Sequence, residues 1–494
     1  MKLNRFYLLL AIASAHLAAC TNLVNNETDS LVRRSAGGFT PGNPSALLES
    51  AYIDLTVYGE HANIFALGQI STADLIAPTR GVNWSDNGVW RSIEQHTWDA
   101  THPYITNSWN SLNQRVYKAT EIIASNPTPM QKAEAQFLRA FHMFWVMDFF
   151  GQVPFREVTQ GVNDLPRVFA RSDAFDFIVK DLTEALPVLD SAPPGPSNGK
   201  ANKASANFLL AKLYLNKAVF KSAVPEGPYT FEKADMDKVI ALVEAIADDG
   251  YSLDPNYFNI FSNTSNAETI FVCGKGIPDT RWKMTLSYSQ KPSGWNGFSA
   301  LASFYDTFEK EDLRRGSPGK SDGTKFSGIG LGFLVGQQYD DNGNQVIDVR
   351  TMLPLSFTRE VPLLGAGGGQ GIRVIKYHPS NYGHLTFMRY GEATLMKAEA
   401  QLRGGDVAGA MSTANDLRRS RKASALTQLT EDNLYDEICR EIYWEGFRRT
   451  TDVRFKKFTA GEGVEKTDAC TVLYPIPLSA LISNSNLQQN VGYK

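Results

Sequence analysis

Over two long stretches of the chain, apolar residues recur at three- and four-residue spacing, the signature of helices that bury one face. The clearest stretch is 128–149, where Met130, Ala133, Phe137, Ala140, Phe141 and Phe144 share a side and Gly151 and Pro154 follow as stop signals. The same spacing predicts helices over 107–125, 172–190, 203–221, 232–248, 386–404, 406–421 and 431–449, in successive pairs. Within 203–221, Leu210 and Ala211 followed by Tyr214 reproduce the Leu-small-x-x-Tyr core of the tetratricopeptide pattern. The small residue lets two antiparallel helices approach, and the aromatic fills the gap to the next pair.

Between about 251 and 382 the helical spacing fades and glycines cluster. Asp341-Asn342-Gly343-Asn344 lies between β-compatible runs, so a hairpin is expected at 335–350 within a loop-rich insertion. Gly365–Gly371 is rich in glycine, but no Gly-Lys-Ser/Thr follows and a strand-like run, Ile372–Tyr377, comes next. A flexible loop is expected there rather than a phosphate cradle.

The N-terminus has its own pattern. Lys2 and Arg5 precede an apolar run from Phe6 to Ala15, and Leu17-Ala18-Ala19-Cys20 closes it. Ten apolar residues fall well short of the roughly 20 that span a bilayer as a helix, so residues 1–19 read as a cleaved signal peptide. Cys20, at the end of a lipobox, is the expected acylation site, and acyl chains at about 0.8 kcal/mol per buried methylene hold a protein on a membrane. Residues 20–44 are polar with Gly37-Gly38 and two prolines, a flexible tether. The remainder, 45–494, is expected to be a single body.

With 43% hydrophobic and 20% charged residues in 494, the chain has a globular composition and is not disordered. Its 49 basic and 52 acidic side chains give a net charge of −3, without the excess needed to neutralise a phosphate backbone, so no nucleic-acid partner is predicted. Beyond Cys20, three cysteines remain, Cys273, Cys439 and Cys470. That odd number in so long a chain is no disulfide framework.

No HExxH or close His/Cys cluster occurs, and the seven histidines are scattered. Asp340, Asn342 and Asn344 alternate as in a calcium loop, but the glycine falls at 343 and no terminal Glu is in register. No cofactor is predicted, and a structural calcium remains compatible. Glu392 and Glu399 sit seven residues apart, about 10.5 Å along a helix, near the upper edge of a glycosidase pair, and are read as coincidence. Arg440, Glu441, Glu445, Arg448, Arg449, Asp452 and Arg454 are expected to form an ion-pair network locking the last helix, with Glu445 and Arg449 at i,i+4.

The unusual signal is aromatic. Arg80, Asn83, Trp84, Asp86, Asn87, Trp90, Arg91 and Trp98 fall in a turn-rich segment without helical periodicity, and Trp282, Tyr288, Trp295 and Asn296 form a second such group. Sugars have apolar C–H faces and hydroxyl rims, so flat aromatic rings flanked by amides, carboxylates and guanidinium groups suit them. The predicted ligand-binding residues are Arg80, Asn83, Trp84, Asp86, Trp90, Trp282, Tyr288 and Trp295.

Several segments resemble the SusD/RagB family of outer-membrane nutrient-binding lipoproteins. They are Ala135–Ala140 (AQFLRA) with Phe150–Pro154 (FGQVP), Lys203–Tyr214 (KASANFLLAKLY), Met388–Ala400 (MRYGEATLMKAEA), Arg440–Arg449 (REIYWEGFRR), and Tyr474–Pro477 with Gln489–Tyr493. The resemblance implies a mostly α, SusD-like fold. Tetratricopeptide-like helix pairs form the scaffold over about 107–250 and 384–494, and the loop-rich insertion, about 251–383, carries short β-hairpins and a ligand-binding face. It also implies a TonB-dependent transporter as partner, over which the lipoprotein sits as a hinged lid, and carries the aromatic contacts to Trp84 or Trp90 and to Trp295, with Trp282 or Tyr288 beside them. The expected function is therefore non-catalytic capture of an oligosaccharide or polysaccharide at the outer membrane, anchored to the bilayer through acylated Cys20, facing the cell exterior and delivering to the transporter. Two alternatives stay open: a peptide- or protein-binding member of the same family, and a surface glycoside hydrolase using Glu392 or another carboxylate.

Overall fold

The computed structural model describes residues 34–35, 38–161, 163–274 and 279–493. The expected signal peptide and Cys20 lie outside the described residues, as does most of the tether. Its principal helices, in chain order, are α1 (Pro44–Ile53), α2 (Val89–Glu94), α3 (Pro103–Ala124), α4 (Pro129–Phe150), α5 (Arg171–Ala185), α6 (Lys203–Leu215), α7 (Lys233–Asp248), α8 (Thr280–Lys283), α9 (Tyr390–Arg403), α10 (Val407–Ser420), α11 (Glu431–Ile442) and α12 (Arg448–Arg454). Among the described residues no helix is long and apolar enough to cross a membrane.

Local chemistry sets the helix ends. Thr128 and Gln131 form a capping box at the start of α4, Pro129 occupies its first turn, and Gly151 at φ +69° closes it. The sequence marks one buried face on α4, yet every residue from Ala133 to Phe150 is buried. The helix is central, packed by α1, α3 and α5. Each polar group on its outer face therefore needs a partner. Arg139 pairs with Asp181 at 2.7 Å, Asp148 with Arg449 at 2.9 Å, and His142 Nδ1 meets the Tyr58 hydroxyl at 2.8 Å.

Successive helices stack as the repeat pattern implies: α3 on α4, α4 on α5, α6 on α7, α7 on α9 and α9 on α10. Ala211 is fully buried, and Tyr214 sits between neighbours, its ring 6.2 Å from Phe175 of α5 and 4.6 Å from the Lys238 ammonium of α7.

Two predicted helices are corrected. The stretch 386–404 begins as a strand, Leu385–Arg389, paired antiparallel with Thr269–Cys273, because both strands are buried on both faces and need no alternation. Helix 431–449 breaks after Ile442: Trp444 and Gly446 adopt φ of +64° and +93°, and α12 starts afresh at Arg448. Glu445 consequently never meets Arg449. It binds Arg389 and Lys376, each at 2.7 Å, while Arg449 reaches Asp148. The expected network exists, but it ties the last helices to the strand and to α4.

Around it, Glu441 accepts Arg389 at 2.6 Å, Arg421 at 2.8 Å and Arg314 at 3.0 Å, all fully buried. Three guanidiniums hold its carboxyl well below the usual range against the opposing effect of burial. Glu392 and Glu399 are likewise buried and committed, the first to Lys212 at 2.8 Å, the second to Arg454 at 2.7 Å and Arg403 at 2.8 Å. No disulfide joins the described cysteines: Cys273 and Cys439 are buried and Cys470 is half-buried.

In the insertion, Tyr339 bridges Gln345 as the hairpin expectation requires, but the longer pairing joins Gly336–Gln337 to Ser356–Phe357. The Asp340 carboxylate accepts the backbone N–H groups of Asn342 and Asn344, both at 2.9 Å, so it caps the turn itself. Among the described residues no group of three or more His, Cys, Asp or Glu side chains is placed to hold a metal ion.

Candidate ligand-binding face

The first aromatic loop opens with a tight turn in which Arg80 and Asn83 exchange backbone hydrogen bonds of 2.9 and 3.1 Å. Trp84, Asp86 and Asn87 then take positive φ of 64°, 36° and 55°. In the second loop Asn296 does the same at 52°. Non-glycine residues in this region cost energy and persist where surrounding contacts hold them.

The fold brings these two loops together. The Trp84 indole Nε1 donates to the Trp295 carbonyl at 3.2 Å, across 211 residues of sequence. Trp84 lies against Gly297, where an added Cβ would stand 2.5 Å from the indole, so only glycine admits that approach. His61 joins the loops, its ring 5.4 Å from Trp295, 6.0 Å from Trp90 and 6.2 Å from Trp84. Burial lowers the His61 pKa to about 4, and the nearby Arg281 cation acts in the same direction against Asp86. At neutral pH the imidazole is therefore an uncharged part of the aromatic face.

The predicted residues divide into those that face outward and those beneath. Trp295 is 38% exposed, Trp84 is half-buried and Asp86 is exposed. Asn83 is half-buried at the turn. Trp282 is half-buried, packed over Leu286, Ile329 and Leu355, and Tyr288 is half-buried under the Arg350 guanidinium, 4.3 Å from its ring.

Trp90 and Arg80 require correction as surface contacts. Trp90 is 1% exposed, wedged against Phe298 at 5.1 Å and Tyr104 at 4.9 Å, with Nε1 donating to Asp86 at 2.8 Å. Arg80 is buried, and its guanidinium donates to the carbonyls of Gly367 (2.6 Å) and Gly297 (3.4 Å) and to Ser299 Oγ (2.9 Å). Both are supports: the first for the outer indoles, the second for the glycine loop. Trp98 is buried as well, its Nε1 bonded to the Tyr493 hydroxyl.

The sequence reading missed three contributors. His61 carries no motif, and its place becomes visible only once the loops meet. Lys283, one turn after Asp279, sets its ammonium 5.4 Å from the Trp295 ring and 5.8 Å from Trp282. Gly365–Gly371, expected as a flexible loop, is held by Arg80 and by Arg373, which donates to the carbonyls of Gly368 (2.8 Å), Gln370 (2.9 Å) and Gly371 (2.7 Å). It forms a wall beside Asn296, whose Nδ2 donates to Gly368 at 3.1 Å.

Residues 53–215 match a SusD-like family described as "Starch-binding associating with outer membrane". Over 444 residues the chain is 28% identical to the starch-binding protein SusD of Bacteroides thetaiotaomicron, covering 76% of this chain and 75% of that protein. Over these stretches the chain resembles the SusD-like proteins. The SusD-like fold extends over nearly all of it. A surface glycan-binding protein A from Bacteroides fluxus superposes with a TM-score of 0.67 at 20% identity, covering 91% of this chain and 99% of the other. A laminarin-binding SusD-like protein gives 0.66 at 19% identity, with the same coverage. At those identities the structural likeness establishes the fold alone.

Proposed function

We propose that this protein is a non-catalytic outer-membrane lipoprotein that binds an oligosaccharide or polysaccharide on the Trp84–Trp295 face and delivers it to a TonB-dependent transporter. The observation that carries the reading is the union of two distant tryptophan loops into one outward aromatic surface, with Asn83 and Asp86 at its edge for sugar hydroxyls. Trp295 and Trp84 serve as the stacking rings and Trp282 and Tyr288 extend the face, while Trp90 and Arg80 hold it from beneath. The names of the relatives, which bind starch, laminarin and surface glycans, support the ligand class. Commitment of Glu392 and Glu399 to buried ion pairs supports a binding role without hydrolysis.

Anchoring rests on Cys20 and its lipobox, and delivery on the family resemblance. A tethered lid works at high effective concentration over its barrel, and its closure commits the ligand to transport.

The test is calorimetry and affinity electrophoresis of the purified mature protein against a glycan panel, repeated with Trp84→Ala and Trp295→Ala. Binding to at least one glycan, weakened about tenfold or more by each substitution in a folded protein, is the expected result. Undiminished binding in both variants would remove the site, and a ligand that proves to be a peptide would replace the ligand class.

A further inference from the structure

Six arginines among the described residues are less than 2% exposed: Arg281, Arg314, Arg373, Arg389, Arg421 and Arg449. Four of them hold a carboxylate, Arg314 that of Asp312 at 2.7 Å, Arg389 that of Glu441 at 2.6 Å, Arg421 that of Glu268 at 2.6 Å and Arg449 that of Asp148 at 2.9 Å. The two that form no ion pair among the described residues, Arg281 and Arg373, both lie at the aromatic face. Arg80, 3% exposed and also without an ion pair there, makes a third.

The acceptors these three groups find are neutral oxygens, and the Nε atoms of Arg281 and Arg373 are buried without an acceptor among the described residues. Arg373 and Arg80 share Ser299 Oγ at 2.6 and 2.9 Å, and Arg373 also reaches Asn296 Oδ1 at 2.7 Å, next to Trp295. Arg281 donates to the Tyr58 carbonyl at 2.7 Å and flanks His61. Hydrogen bonds to carbonyls and hydroxyls leave the net charge uncancelled, and a guanidinium stays protonated. Burial lowers Arg80 to about 10, also lowers Arg281, and lowers Arg373 well below the ordinary arginine value with the Arg80 cation acting in the same direction; an anion placed over the three opposes that lowering. Positive potential from buried charges is weakly screened, so it extends through the thin aromatic layer above.

The rim adds cations that a ligand could reach. Lys283 stands between Trp295 and Trp282, and exposed Arg350 lies over Tyr288 without an ion pair among the described residues. The carboxylates nearby offset part of this charge: Asp279 pairs with Lys283 at 3.0 Å, Asp86 accepts the Trp90 indole, and buried Asp348 accepts the Arg350 backbone N–H at 2.8 Å. These three are outnumbered by the five cations Arg80, Arg281, Arg373, Lys283 and Arg350, so the face keeps a positive excess.

We infer that the glycan taken by this face is anionic, its ring lying on Trp295 and its carboxylate or sulfate ester met by Lys283 and Arg350 above the unpaired arginines. The inference rests on the glycan reading above and names the substrate class of the same site. It predicts that the ligand supplies counter-charge for the positive excess that the local carboxylates leave uncancelled.

Calorimetry on the mature protein uses two matched sets of probes. One is oligouronates and their carboxyl-reduced counterparts, the other sulfated galactan oligosaccharides and their desulfated counterparts, each run at two salt concentrations. The expected result is at least tenfold tighter binding of the charged member of one set, lost progressively at higher salt. Lys283→Met and Arg350→Gln, both at solvent-accessible positions, should each weaken the charged probe at least threefold more than its neutral counterpart. The set that responds tells carboxylate from sulfate. Equal binding of charged and neutral members, or indifference to both substitutions, overturns the inference while leaving the glycan reading intact if Trp295→Ala still weakens binding about tenfold or more. Failure of every glycan, charged or neutral, overturns both.

Discussion

Glu441→Gln isolates what the buried ionic centre contributes. The carboxylate faces Arg389, Arg421 and Arg314 at 2.6, 2.8 and 3.0 Å with no solvent exposure. An amide of the same shape removes the charge and turns at least one N–H toward a guanidinium N–H. Breaking a buried ion pair from one side typically costs about 3 to 5 kcal/mol. Here each arginine keeps another carboxylate, Glu445 for Arg389, Glu268 for Arg421 and Asp312 for Arg314, which puts the loss at the lower end, about 3 kcal/mol. At roughly 2.1 cal/mol/K per residue, a chain of this size has an unfolding entropy of about 1 kcal/mol/K, so the melting temperature should fall by only about 3 °C. Differential scanning calorimetry at pH 7 measures it, with urea titration giving the free energy independently. A melting temperature and free energy that stay level or rise would show that the three arginines do not need this carboxylate, and that the network is a consequence of the fold rather than a support for it.

Three further expectations follow from the same structure. Burial lowers His96 and His384 to about 4, so the stability they contribute is complete above about 6.5, the ordinary histidine pKa, and is lost as pH falls toward 4. Glu437, held near 2 by Arg314, Arg440 and Arg418 despite burial, extends the loss from about 4.5 downward. Urea midpoints measured from pH 7 to pH 3 should therefore drop in two stages, and a flat profile across 6.5 to 4 would exclude the histidine contribution. Gly68→Ala would place a Cβ 2.2 Å from the Gly446 carbonyl oxygen, a backbone atom, and should destabilise by about 1 to 3 kcal/mol or more, read from the same titration. Trp84→Phe keeps an aromatic ring but loses the bond to the Trp295 carbonyl, worth about 1 kcal/mol to the fold, so stability should fall by about that much and glycan affinity by roughly fivefold at most, less than for Trp84→Ala.

Much of this protein is written locally. Helix positions follow from spacing and caps: Thr128, Pro129 and Gly151 bound α4 within one residue or two of where the sequence puts it. The tetratricopeptide-like core at Leu210, Ala211 and Tyr214 is legible because tight packing between neighbouring helices demands a small residue at a fixed offset. The two tryptophan loops are also legible, as aromatic residues where no helical face would bury them.

Tertiary structure decided the rest. Whether an apolar run becomes strand or helix depended on its partner, as Leu385–Arg389 shows beside Thr269–Cys273. Which carboxylate serves which arginine depended on where α11 breaks, because Glu445 changes partners once Trp444 and Gly446 turn the chain. Most of all, the chain alone marks Arg80, Trp84, Trp90 and Trp295 as one kind of residue, while the fold separates them into two outward rings and two buried supports and inserts His61 between. Spacing along a helix is a short-range property that neighbouring residues carry among themselves. Exposure of a ring, and the charge beneath it, arises from contacts between segments more than two hundred residues apart, and only the folded chain brings those together.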